Sequence, residues 1–317
     1  MKYQKYLSIV IVHFNTPQET IKCIESILKV LTAADLYTYE ILVIDNRSNK
    51  NNYLSLKNYF PQESYTSVKI IRNNMNSGFG LGCMMAMNFS NGKYTAFVNS
   101  DTFFEEDCFS DLIAFLEKTP DAGMVTPQQR NMSGNLMPTF RRFDSFAQRF
   151  GGKLVHKIFY KGEGADPCDH YSHPVAVDFI MGSFMLVNTY DFFCAGGFDP
   201  NIFLYYEEMD LCLRLKKNGK KTYFYPYKYY KHIGGASAPN SKSLRLESQI
   251  SMLYVIRKHH SYFYFILFKS ALLIQLFLKS PFKARNRWLL WRLITLGVPQ
   301  TQSLRTFQFV EKVCSDD

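Results

Sequence analysis

Apolar and polar positions alternate along the chain in two rhythms. Short β-branched or apolar runs, LSIVIVHF, EILVID, VKII, YTAFVN and GMVTP, are interleaved up to Arg130 with segments whose apolar residues recur at helical spacing, IKCIESIL, GCMMAMNF and CFSDLIAFLEK. Strand and helix in alternation predict an α/β fold: a mostly parallel sheet covered by helices on both faces. Such sheets bind ligands beyond the C-terminal ends of their strands. The polar segments HFNTP, DNRSN, NMNSGFG and NSD all fall at those ends.

Further along, Ser133-Gly134 predicts a turn between Gln129 and Thr139, and from Arg141 to Ser172 the periodicity fades into a polar stretch that reads as a mobile loop. VAVDFIMGSFMLV resumes as a buried strand or strand pair, GGFDP as a turn, YYEEMDLCLR as the start of a helix and KTYFYP as a further strand. Acids favour the positive N-terminal end of a helix and bases its C-terminal end, with glycine just beyond. Arg214, Lys216, Lys217 and Gly219 fit that pattern, which explains the acids without any chemistry. Beyond Ser241 the chain changes to long helical stretches rich in Phe, Tyr, Leu and basic residues, dividing it into 1–240 and a helical segment 241–317.

With 317 residues, 47% hydrophobic and 20% charged, the chain suffices for one large domain or two smaller ones, and disorder is excluded. Its seven cysteines are scattered and form no CxxC pair, which argues against a disulfide framework or zinc site and for the reduced thiols of a cytosol. The basic start and short apolar run at the N-terminus lack a small-residue cleavage site, so no secretion signal is expected. Net charge is +10, yet residues 242 to 292 hold ten Lys or Arg against the single acid Glu247, so +9 of it belongs to the C-terminal segment. Residues 261 to 278 form an apolar run of 18 with Lys269 at its centre. That length is near the lower limit for a bilayer span, and a central lysine costs about 3 kcal/mol. A helix lying on the membrane surface is the expectation, with Lys283, Arg285, Arg287 and Arg292 around Trp288 and Trp291 suited to an anionic lipid interface. No nucleic-acid motif accompanies the basic cluster, so no nucleic-acid partner is expected. A non-catalytic membrane-binding module remains one alternative reading.

NSGFGLG, residues 76 to 82, follows a strand and precedes a helix, as a dinucleotide-binding loop would, and Asp101 follows downstream. This supports a second alternative, a nucleotide-dependent oxidoreductase. Against it, Cys83 occupies the third glycine position and two strand-helix units precede the motif. The glycines equally let the backbone approach a single nucleotide, with Asn76 as a polar contact. Asp45 stands ready to accept hydrogen bonds from a base or ribose, or merely to close an Asx turn. At the end of YTAFVN, Asp101 is placed to hold a hard divalent cation against substrate phosphates, or to cap a helix. His232, ahead of a glycine pair, becomes a metal ligand if an acid from another strand end meets it.

HFN at 13 to 15, VIDN at 43 to 46, NSGFG at 76 to 80, NSD at 99 to 101, GGFDPNIFLYYEEMDLCLR at 196 to 214 and HIGGAS at 232 to 237 occur in that order. Together they resemble family 2 inverting glycosyltransferases of the GT-A fold, particularly the bacterial rhamnosyltransferase-like branch, over roughly residues 7 to 240. The resemblance implies that His13, Asn15 and Asp45 hold the donor nucleotide, with Asn76, Gly78 and Asn99 beside it. NSD matches the family's DxD metal motif with Asn99 in place of an aspartate, so Asp101 and His232 would bind Mg2+ or Mn2+. Gly182 and Ser183 of MGS, with Asp199 of GGFD, would lie near donor sugar and acceptor. Glu208 stands where the family usually has an aspartate base, with Glu207 beside it. The implied partners are a dTDP- or UDP-sugar, rhamnose first, and a glycan or lipid-linked saccharide. The implied location is cytoplasmic, peripheral to the inner face of the membrane.

The three acids of YYEEMDLCLR separate on a helix turning about 100° per residue. Glu207, Asp210 and Arg214 share one side; Asp210 and Arg214, at the favourable i, i+4 spacing, read as structural support, while Glu207 is expected beside the base to orient or contact the acceptor. Glu208 shares its side with Leu211, Cys212 and Leu215, where partial desolvation raises a carboxyl pKa while the helix N-terminus lowers it.

Overall fold

The computed structural model describes residues 3–34, 38–150, 167, 169–234, 242–279, 284–295 and 300–310. Strands β1 (Lys5–His13), β2 (Tyr39–Asp45), β3 (Val68–Arg72) and β4 (Gly92–Asn99) run parallel in the order β3-β2-β1-β4. Their two-residue alternation sends Ile9, Ile11, Ile41, Val43 and Val98 to one face and Val10, Leu42, Ile44 and Phe97 to the other. Helices Pro17–Ala34, Lys50–Tyr59 and Phe109–Lys118 cover the first face with Ile24, Ile27, Leu56 and Leu112, and helix Phe79–Met87 covers the second with Cys83 and Ala86. Burial on both sides is why these strands read as continuous apolar runs.

The second half departs from simple alternation. After β5 (Thr102–Phe103) and β6 (Ala122–Arg130), VAVDFIMGSFMLV folds as three short strands, β8 (Val175–Val177), β9 (Phe179–Ile180) and β10 (Phe184–Asn188). β10 inserts antiparallel between β4 and β6. β11 (Lys221–His232) runs parallel to β6, well beyond KTYFYP, past an irregularity between Tyr225 and Tyr229, and its end pairs antiparallel with β5. The stretch expected to be a mobile loop begins in order: β7 (Phe140–Arg141) pairs with β9, and helix Phe146–Phe150 follows. Aromatic packing of Phe140 on Phe224 and of Phe150 on Phe268 holds these pieces, a long-range effect that local periodicity does not carry. The remainder of that expected loop, 151–166 and 168, lies outside the described residues.

Helices Lys242–His259, Tyr262–Lys279 and Ala284–Thr295 share a third apolar cluster that includes Ile250, Leu253, Phe268, Leu272, Leu289 and Leu293. Helix Tyr262–Lys279 is long and apolar enough to cross a membrane by length and composition, with mean hydropathy 1.5. One face, Phe265, Phe268, Leu272 and Leu276, is buried, while Phe263, Leu267, Ile274, Phe277 and Leu278 on the rest are exposed. Lys283 and the side chain of Arg285, expected at the lipid interface, lie outside the described residues.

Candidate active site

The C-terminal ends of β1, β2 and β3 build the first part of the cleft. Asp45 is fully buried and meets Arg72 at 3.1 Å, while the Arg72 guanidinium lies 4.4 Å from the Tyr53 ring centroid. His13 sits beneath: its Nδ1 is 2.8 Å from Thr20 Oγ1, whose own hydroxyl donates to Thr16 O, so Nδ1 carries the proton. Burial pushes the His13 pKa down to about 4, leaving a neutral ring with Nε2 3.7 Å from Asp45 and no hydrogen-bond partner. His13 is therefore a buried, neutral ring beside Asp45 and makes no hydrogen bond to it. Asn15, with φ of 59°, fastens the first loop to the second through Ser48 Oγ at 2.8 Å and the Asn49 N–H at 2.8 Å.

Asn76 accepts from Asn46 Nδ2 at 2.9 Å and from the Gly78 N–H at 3.0 Å. Gly78 has φ of +81°, and a Cβ there would stand 1.9 Å from the Phe203 carbonyl oxygen. The glycine is required by close packing against the segment that leads into helix Glu207–Lys217, as well as by its backbone conformation.

Across β4, the pairing of β11 with β5 places His232 opposite Thr102 and brings His232 Nε2 to 3.0 Å from Asp101 Oδ1. Asp101 Oδ2 also accepts from the Gly234 N–H at 3.2 Å, and Gln129 Nε2 lies 3.3 Å from His232 Nδ1. Among the described residues no third His, Cys, Asp or Glu completes a cluster. One carboxylate and one imidazole leave most coordination positions to water and phosphate oxygens, a mode suited to Mg2+ or Mn2+, so the donor set fits a divalent cation shared with a diphosphate. The Asn99 N–H donates to Ser183 O at 3.0 Å, and Ser183 Oγ is held by Gln129 at 3.0 Å and Tyr230 at 2.6 Å. Next to it, a Cβ on Gly182 would lie 3.8 Å from the Glu208 carboxyl carbon. A chain of neighbours thus runs from Asp101 and His232 through Asn99, Ser183 and Gly182 to Glu208.

Helix Glu207–Lys217 opens on two consecutive left-handed residues, Tyr205 (φ 68°) and Tyr206 (φ 70°). Each such non-glycine conformation costs on the order of 1–2 kcal/mol, so packing must enforce it. The Tyr206 hydroxyl donates to Asp144 at 2.7 Å. Glu207 points inward, buried, with Oε2 unpartnered, and burial followed by the neighbouring Glu208 charge pushes its pKa well up. Glu208 stays half-buried at the cleft. Burial raises its pKa to about 7, against lowering contributions from a backbone hydrogen bond and from Arg141 on β7. It is a carboxyl poised to exchange a proton near neutral pH. The helix-wheel expectation of opposing burial and helix-terminus effects matches these causes, with burial the larger.

The family model for glycosyl transferase family 2 matches residues 8–181, more than half of the chain. The chain belongs to this family. As a family 2 glycosyltransferase it is 26% identical over 245 residues to rhamnosyltransferase WbbL of Escherichia coli, covering 74% of this chain and 88% of that one. It is 23% identical over 258 residues to the N-acetylglucosaminyl-diphospho-decaprenol L-rhamnosyltransferase of Mycobacterium tuberculosis, covering 73% and 78%. Among solved structures, the fold resembles mannosyltransferase PcManGT of Pyrobaculum calidifontis, solved with GDP-Man and Mn2+ (TM-score 0.56, 12% identity, 96% of this chain and 80% of that one). It also resembles GalNAc-T7 with UDP, GalNAc and Mn2+ (TM-score 0.59, 17% identity, 80% of this chain), of which it spans about half, 47%. The fold is thus the GT-A arrangement, and a glycosyltransferase replaces both the oxidoreductase and the non-catalytic readings.

Within this glycosyltransferase, Asp199 and Asp210 both meet side chains of helix Lys242–His259. Asp199 is bound by Lys258 at 2.6 Å and Tyr254 at 2.9 Å. Asp210 is fully buried and joins Arg214 at 2.7 Å, as the i, i+4 spacing predicts, but also His259 at 2.7 Å and Lys258 at 2.8 Å. Burial would raise the Asp210 pKa, yet the His259 hydrogen bond and the Arg214 and Lys258 charges hold it down to about 2. Sequence reasoning missed Arg72, Gln129, Tyr230, Lys258 and His259. Only Arg72, closing the strand VKIIR, carried a local signal, a charge at a strand's C-terminal end.

Proposed function

We propose that the enzyme is an inverting glycosyltransferase that moves a sugar, rhamnose first, from a dTDP- or UDP-sugar to a hydroxyl of a lipid-linked or cell-surface glycan. The observation that carries the reading is the half-buried Glu208 carboxyl, raised to about 7 beside Gly182 and linked by neighbours to the Asp101–His232 pair. Glu208 takes the proton of the acceptor hydroxyl. As the acceptor oxygen bonds to the anomeric carbon, the bond from that carbon to the diphosphate oxygen breaks, and the nucleoside diphosphate leaves with the electron pair from the opposite face. Asp45, held by Arg72 with His13 packed beside it, orients the nucleotide, with Asn15, Asn76 and Asn99 shaping the adjoining loops. Gly182 keeps the space beside the base open, and Ser183 anchors that segment to Gln129 and Tyr230. Asp101 and His232 would hold Mg2+ or Mn2+, which when bound offsets negative charge on the diphosphate.

Two relatives named as rhamnosyltransferases support rhamnose as the donor sugar, and the diphospho-decaprenol in one name supports a lipid-linked acceptor. The exposed apolar face of helix Tyr262–Lys279 supports work at the inner membrane surface. A panel of dTDP- and UDP-sugars assayed for nucleoside diphosphate release, with and without Mn2+, tests the reading. Acceptor-dependent release with one donor is expected. In Glu208→Gln, release falls by about three orders of magnitude, in line with loss of a general base. Near-parent turnover of folded Glu208→Gln would remove the assignment.

A further inference from the structure

The last turns of helix Lys242–His259 meet both ends of the stretch that leads to Glu208. Lys258 Nζ lies 2.6 Å from Asp199 Oδ2 and 2.8 Å from Asp210 Oδ1, so one ammonium joins the two ends of the 199–210 stretch. Around it, His259 Nε2 meets the same Asp210 oxygen at 2.7 Å, and Lys217 Nζ lies 3.1 Å from His259 Nδ1. Tyr254 donates to Asp199 Oδ2 at 2.9 Å, and Ser251 Oγ donates to Leu204 O at 2.8 Å. Between the two aspartates lie the left-handed Tyr205 and Tyr206 and both glutamates. A strained backbone persists only where its surroundings over-determine it, and here the surroundings are these contacts from the C-terminal helix.

We propose that Lys258 is a positioning residue for sugar transfer. Acting through Asp199 and Asp210, it sets the direction in which Glu208 leaves the helix, and it makes the C-terminal helical layer part of the catalytic centre. This rests on the glycosyltransferase reading with Glu208 as base. Lys258 Nζ is taken up by Asp199 and Asp210, so its removal misdirects the base without altering the nucleotide cleft built by Asp45 and Asp101. Misplacing a reacting group by about 1 Å costs roughly 100-fold in rate, whereas binding of a donor held elsewhere is untouched.

The full chain with Lys258→Met is compared with the parent in steady-state kinetics and in amide hydrogen exchange. Expected are a kcat lower by about 10- to 100-fold, a donor KM within about twofold of the parent, and faster exchange in peptides from 199–217 but not in β1 or β4. Lys258→Arg, which keeps the charge, is expected to recover most of kcat. A folded Lys258→Met with parental kcat, or with parental exchange in 199–217, overturns the proposal. So does an equal loss in Lys258→Arg. Should Lys258→Met not fold, Asp199→Asn, which loosens one half of the bridge, is read by the same kcat and exchange criteria. A parent protein that turns over no nucleotide sugar would sink the function proposed above, and the exchange arm would still decide whether Lys258 holds the 199–217 segment.

Discussion

Two adjacent glutamates on one helix turn have unlike surroundings because one points in and one points along the cleft. Burial pushes the Glu207 pKa well up, whereas Glu208 titrates near 7. A base works only when ionised, so kcat/KM should rise about tenfold per pH unit below 7 and level above it. Glu208→Gln should abolish that limb. Because the fold raises the Glu208 pKa above its ordinary 4.5, the folded state binds this proton more tightly than the unfolded chain. Parent stability from this group is therefore fully present below about pH 4.5 and is lost as pH rises through about 7. Glu208→Gln should be more stable than the parent at pH 8 and no different at pH 4, measured by urea unfolding. Glu207→Gln keeps the shape of this buried side chain without its charge and should fold normally.

At the scale of elements, close packing and buried ion pairs decide where the site stands. Gly78→Ala puts a methyl 1.9 Å from the Phe203 carbonyl in a left-handed conformation, so the glycine loop must shift away from helix Glu207–Lys217. Loss of soluble folded protein, or a melting temperature lower by several degrees, is expected. Asp210 works in the opposite sense to Glu208. Its pKa falls from 3.8 to about 2, so it contributes stability above pH 4 that disappears as pH drops through 2. The contribution is about 2 kcal/mol at pH 7. Asp210→Asn should show that loss at pH 7 and none at pH 2 in chemical denaturation.

At the scale of the whole molecule, three apolar clusters stack from sheet to C-terminal helices, and the outermost helix keeps one apolar face in and another out. Phe263, Leu267 and Ile274 on the outer face should insert into a bilayer surface, with Arg287 and Arg292 nearby favouring anionic lipid. Co-sedimentation should be stronger with anionic than with zwitterionic vesicles and weaken with salt. Phe263→Asp should cut it roughly tenfold or more, the range for one buried aromatic. Equal recovery with all vesicles and variants would remove the membrane from the reading.

Local pattern was enough for β1 to β4, three of their covering helices and the loops at their ends, because period-two and helical repeats are properties of adjacent residues; helix Lys50–Tyr59, which buries only Leu56, carried no such repeat. It was also enough to separate Glu208 from Asp210 and to set Asp210 against Arg214, since both follow from one helix's geometry. The antiparallel insertion of β10, the ordered β7 and the overrun of β11 were not legible, because strand partners are chosen by long-range pairing. The partners of Asp199 were not legible for the same reason: Lys258 and Tyr254 lie on a helix from the C-terminal segment. The sequence by itself determined the parallel strands β1 to β4, the residue types at their ligand-binding edge and the apolar C-terminal helix. Only the tertiary structure decided which carboxylates are paired and which is left half-buried at the cleft, because burial and charge compensation depend on neighbours distant in the chain.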